Sequence, residues 1–310
     1  GMILSLIWFW FGRKQLKTIG LPSDHQTGLR NISLVLVGGL LVGVPVFYSL
    51  LTIEASLLQY ILMALFVIPA VMLFREGVKE GKVPRDKVLA MLTIFIFNVL
   101  FWMFFEQAGS SFNFLAEKIV DRDIGMVGLF NALAGTNDFP VSWFQSVNSV
   151  AIIALAPVLA WLWVRMGKNN PTIPRKFGLG LIFNGLAFLL LMVALSSMVD
   201  GSGKIPFWTL FMVYVIQSVG ELCLSPIGLS MTTKLAPARL TGFAMGCWFL
   251  SIAIGNNLAG IFAGHVSGTG GMTVESAHAG YTFGFYALAG AGALLFLIAP
   301  LIQKWMHGVK

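Results

Sequence analysis

Apolar residues run along this chain in blocks of about twenty, each long enough to cross a bilayer at ~1.5 Å per helical residue, with short polar or basic joints between them. The blocks fall at about 31–53, 56–74, 88–113, 143–164, 177–199, 206–235, 239–263 and 281–302. This pattern predicts eight complete membrane helices and an all-α polytopic membrane protein. A shorter apolar start, MILSLIWFWFG, stops at Arg13 and Lys14, and is too short to span. It reads as the tail of a truncated helix (1–14), followed by a cytoplasmic linker (15–30) and an accessory helical hairpin (31–74) almost without ionisable groups. The six-helix remainder, 75–310, is then the working bundle. Arg75–Lys87 and the Gly/Ser/Thr-rich stretch 265–280 are expected to be loops. The segment between Glu117 and Ser142 is expected to be a long connection with a short surface helix.

Composition agrees, with 57% hydrophobic and only 11% charged residues. The formal charge of +7 does not point to nucleic acid, because the basic residues flank the apolar blocks. Every Lys and Arg except Lys118, Arg122 and Lys204 falls on one side of the predicted topology, which puts both ends of the chain in the cytoplasm. Cys223 and Cys247 lie inside spans without companion ligands, and His265 and His278 lack them too, so no metal site is expected.

Against this apolar background a few polar side chains stand out. Glu221 lies near the middle of the block 206–235, roughly 20 Å from either end, where a carboxylate costs at least ~2.5 kcal/mol unless it faces a cavity or a partner. Gln217, Glu221 and Ser225 recur at i, i+4 and i+8 and predict a polar stripe, with Pro226 freeing a backbone carbonyl beyond it. Trp102, Phe105 and Glu106 share a face of the block 88–113, with Gln107 beside them. Gln145, Asn148 and Ser149 make a third polar face. Trp248 reads either as a cavity wall or as core packing. The only Lys and Arg within the blocks, Lys234 and Arg239, stand at block ends, so Glu106 and Glu221 are either protonated or paired with a cation from outside this chain.

The segments FWMFFEQ, WFQSVNS and GELCLSPIG, with the Trp-containing helix after them, resemble the proton-dependent oligopeptide transporter (POT) family of the major facilitator superfamily. The resemblance implies the C-terminal half of a bacterial member: a helix-six stub, two extra inter-bundle helices and helices seven to twelve. It further implies proton-coupled symport of di- and tripeptides across the bacterial inner membrane by alternating access, with the proton as coupling ion and no cofactor. Glu221 and Asn148 would then sit near the peptide's amino terminus, with Ser225 nearby. Trp102, Phe105 and Trp248 would line side-chain pockets, and Gln107, Gln145 and Gln217 would be supporting polar groups. Glu106 would pair across an outer gate with the N-terminal six-helix bundle, the expected partner. A major facilitator transporter of another small solute is the main alternative. An intramembrane enzyme is less compatible, since HExxH, GxSxG and paired membrane aspartates are missing.

Overall fold

The computed structural model describes residues 2–16, 29–125, 129–135, 137–268 and 270–309. They form two compact units, Gly1–Glu54 and Ala55–Lys310. The first contains α1 (Met2–Gly12), a 3-10 turn and α2 (Leu29–Thr52). Arg13 stacks on Trp10 there, its guanidinium carbon 3.7 Å from the ring centre.

The second unit contains α3 (Ala55–Glu80), α4 (Lys82–Phe105), α5 (Ser111–Lys118), α6 (Leu129–Ala134), α7 (Val141–Met166), α8 (Ile173–Ser197), α9 (Phe207–Leu235), α10 (Thr241–Ser267) and α11 (Val274–Trp305). The described helices supply eight that are long and apolar enough to cross a membrane, as the apolar blocks predict. The residues expected to form one accessory hairpin fall in different units. α3 packs on α4 and α10. Near one of its ends, Asn257 Nδ2 donates to Gln59 Oε1 and to the Ala55 carbonyl, both at 2.9 Å. At the other, Arg239 bonds Glu76.

The core is aromatic: Phe104 and Phe112 both pack against Phe188, and Phe112 also meets Tyr214 and Tyr281. In lipid, helix association depends on close packing more than on apolar burial, so small residues matter. The crossing of α8 and α9 is an instance. A Cβ on Gly180 would lie 3.0 Å from the Gly220 carbonyl oxygen, and one on Gly220 would lie 2.8 Å from that of Gly180.

Two expected loops are largely helical. Between Arg75 and Lys87 only Gly81, at φ 115°, interrupts α3 and α4. Some of its charges are paired, with Arg85 donating to Asp86 Oδ1 at 2.8 Å and Asp86 Oδ2 lying 3.1 Å from His307 Nε2. In the stretch 265–280, α10 continues to Ser267 and α11 starts at Val274 behind a capping box, in which the Thr273 hydroxyl accepts from the Ser276 backbone and the Ser276 hydroxyl accepts from that of Thr273. Conversely, the block expected to run unbroken to Asn113 leaves α geometry at Phe105. A 3-10 turn, Glu106–Gly109, separates α4 from α5.

Beyond α5, Asp121 N–H bonds the Ile205 carbonyl, and Arg122 donates to the Phe139 carbonyl. These contacts gather Lys118, Arg122 and Lys204 at one end of the unit. The turn before α9 is fixed by Asp200, whose carboxyl is held below the usual carboxylate range by the Lys204 backbone N–H and the Ser202 hydroxyl.

Candidate functional site: two carboxyls on an open helical face

Glu221 stands half-buried at the middle of α9, and its partner comes from α7. Asn148 Nδ2 donates to Glu221 Oε2 at 3.1 Å and to Ser218 Oγ at 3.0 Å, while Ser218 donates to the Tyr214 carbonyl one turn back. One carboxylate oxygen is thereby oriented, and the Asn148 amide is held by two acceptors. Ser225 lies one turn further along α9, also half-buried.

Glu106 belongs to the same site. It opens the 3-10 turn after α4, is half-buried, and lies close enough to Glu221 for the two charges to interact. Glu106 is twelve residues from the end of α5 and Glu221 is fourteen from the start of α9. The bridge between Val120 and Ile205 sets those two ends level. The two acids therefore lie near each other within the bundle. Neither forms an ion pair with Lys, Arg or His among the described residues. Two like charges facing each other in a low-dielectric setting form a receptor for a cation or a proton.

The preceding turn of α4 supplies an aromatic cluster in which Trp102 is half-buried and Phe105, 8% exposed, is buried. Trp102 and Phe105 meet edge to face at 5.2 Å, and Phe105 stacks on Phe101 at 5.3 Å. Trp102 is aimed by a relay: its Nε1 donates to Asn98 Oδ1 at 3.0 Å, Asn98 donates to Ser251 at 2.8 Å, and Ser251 donates to the Trp248 carbonyl at 2.6 Å.

Four other expected site residues lie elsewhere. Trp248 is 1% exposed, enclosed by Phe95 and Phe177 and lying over Gly228, where a Cβ would overlap the indole. It is a core side chain, because only glycine at 228 leaves a slot for the ring. Gln217, 1% exposed, donates to Asn184 Oδ1 at 2.9 Å on α8, so the expected stripe splits: Gln217 turns to α8 and Glu221 to α7. Gln107 is fully buried, donating to the Met103 and Ala259 carbonyls and accepting from Ser111, and it secures the break after α4. Gln145 is exposed and donates to Asn113 at 3.3 Å. Sequence reasoning missed Ser218, which precedes Glu221 by three residues on its face of α9, and Asn98 and Asn184, lone amides in otherwise apolar helices.

The apolar groove between α7 and α9, about 510 Å³ and lined by Trp143, Val147, Val150 and Phe211, does not include Glu106 or Glu221.

The eight-span helical fold defines the class as a polytopic membrane protein of the major facilitator fold. Residues 1–274 match PTR2, the POT family, and the chain belongs to that family. It is 31% identical to the uncharacterized transporter YclF of Bacillus subtilis over its full length, covering 60% of that protein. It is 33% identical to dipeptide and tripeptide permease B of Salmonella typhimurium, the match covering 85% of this chain and 52% of the permease. Among solved structures, it aligns with a peptide transporter POT in complex with sulfate at a TM-score of 0.74 and 30% identity, over 99% of this chain and 61% of the other. It also aligns with a POT family transporter in complex with 5-aminolevulinic acid at a TM-score of 0.71 and 26% identity, over 97% and 61%. The chain thus spans about 60% of the length of these relatives at most.

Proposed function

We propose that this chain is the C-terminal working half of a proton-coupled di- and tripeptide symporter, completed by an N-terminal six-helix bundle. The observation that carries the reading is the Glu221 carboxylate, oriented by Asn148 and near Glu106, with no ion-pair partner for either acid among the described residues. A peptide ammonium between the two acids would relieve their repulsion, and the adjoining Trp102 and Phe105 give an adaptable apolar surface for side chains. Protons compete for the same carboxyls, which joins peptide and proton binding in one site. Names among the relatives support the substrate class: dipeptide and tripeptide permease B, and a solved POT peptide transporter bound to alafosfalin.

Glu106 acts within this site and at the bundle interface at once: a cation from the other bundle holds it in one state, and protonation releases it. The charge distribution supports an inner-membrane orientation with both chain ends cytoplasmic, since Lys118, Arg122 and Lys204 sit at the opposite end from the Arg85, Arg239 and His307 cluster.

The test is uptake of labelled dialanine into proteoliposomes of the protein containing this chain, driven by an inward proton gradient. Accumulation abolished by a protonophore is the expected result; gradient-independent or absent uptake contradicts the proposal. A second reading, transport of a small amino acid-like solute, is favoured by the relative bound to 5-aminolevulinic acid, and unlabelled 5-aminolevulinate outcompeting dialanine would select it.

A further inference from the structure

At the highly charged end of the second unit, α3 and the start of α10 enclose a cleft of about 360 Å³, lined by Met72, Arg75, Glu76, Lys79, Arg239 and Leu240. Its charges do not cancel. Glu76 is shared by Lys79 at 3.5 Å and by Arg239, which also reaches Glu80 at 3.7 Å. Three cations therefore face two acids, and Arg75, exposed, has no hydrogen bond or ion pair among the described residues. A surplus guanidinium in a half-enclosed cleft suits one singly charged phosphate oxygen pair, which Arg binds in bidentate fashion.

The surroundings say what carries that phosphate. Ile68, Val71, Met72, Arg75 and Lys79 recur at helical spacing of three and four, and so share one face of α3. Ile68, Val71 and Met72 are 61%, 50% and 50% exposed. An uncovered apolar stripe thus climbs from the middle of a membrane helix and ends at Arg75, with Lys79 one turn beyond. Arg75 closes the apolar block of α3, which sets it at headgroup depth, on the side of the membrane where basic residues concentrate. A free inorganic anion would use the cations and leave the stripe idle; a lipid uses both.

We propose that this cleft is a binding site for the phosphate headgroup of an anionic membrane phospholipid, held by Arg75 with Lys79 and Arg239, with its acyl chains along Ile68, Val71 and Met72. The site is independent of what the protein transports.

Native mass spectrometry of the full protein containing this chain tests it, with phosphatidylglycerol titrated in against phosphatidylcholine. Arg75→Gln should weaken phosphatidylglycerol retention about five-fold, the effect of one cation near a membrane surface, and Arg75→Gln with Lys79→Gln should weaken it further. Arg175→Gln, at the start of α8 and outside the cleft, should leave it unchanged. Because Arg75 has no ion pair or hydrogen bond among the described residues, its variant should keep the melting temperature, so loss of lipid is not loss of structure. Met72→Ser with Ile68→Ser should weaken phosphatidylglycerol binding but not that of inorganic phosphate. Equal retention in wild type and the double Gln variant would overturn the site, as would retention insensitive to headgroup charge. Displacement of phosphatidylglycerol by millimolar inorganic phosphate, with the stripe variant behaving as wild type, would make it a free-anion site and overturn the lipid assignment.

Discussion

Glu106 and Glu221 were conspicuous in the sequence because an acid inside an apolar block is expensive wherever it cannot find a partner. What the sequence did not contain was their proximity. That follows from the 3-10 turn after Phe105 and from the bridge that levels the ends of α5 and α9, neither of which has a residue signature. If Glu106 is the group that a proton or an opposing cation competes for, Glu106→Gln should lower proton-driven uptake about tenfold or more, equivalent to ~1.4 kcal/mol of coupling, while exchange without a gradient persists. Equal loss of both would reduce Glu106 to a binding residue. Trp248 shows the opposite failure. A tryptophan in a membrane helix reads equally as a pocket wall or as packing, and only the slot over Gly228 decides. Gly228→Ala should therefore destabilise the protein by about 1–3 kcal/mol through overpacking, read as a lowered melting temperature in detergent. Trp248→Phe should restore part of that loss.

At the scale of elements, the number and type of the spans were legible, because runs of about twenty apolar residues have few other solutions. Which helix is central was not legible. α4 and α7 both lack a strong amphipathic stripe, yet α4 is largely buried while α7 buries only Phe144, Val147 and Ala151. A helix without an amphipathic stripe does not announce its buried face. Helix ends were misread where charge or glycine looked like loop. At 265–280 the turn narrows to a few residues because Thr273 and Ser276 cap α11 reciprocally, a box with Ser where Glu or Gln is usual. Thr273→Ala should cost about 1 kcal/mol and lower the melting temperature, whereas Thr273→Ser should be close to neutral. No difference between the two would mean that packing alone starts α11.

For the molecule as a whole, the exposure of α7 is the feature that the proposed second bundle explains. Val150 is 66% and Ile153 76% exposed, and the apolar groove between α7 and α9 opens beside them. In the longer protein, a cysteine at Val150 should react with a lipid-soluble maleimide far more slowly than one at Leu297, which is 79% exposed on α11 and faces lipid in this reading. Equal rates would leave α7 in lipid and remove the proposed bundle interface.

The central claim is that Glu221, oriented by Asn148 and facing Glu106, receives a peptide ammonium. Binding of dialanine and of N-acetyl-dialanine to the full protein, compared between wild type and Glu221→Gln, tests it most directly. The account predicts that the variant loses affinity for the free-amine peptide by about tenfold or more, the scale of removing one partner of a charged hydrogen bond, and that affinity for the acetylated peptide stays nearly unchanged. Equal losses for both peptides, or none for either, would contradict it.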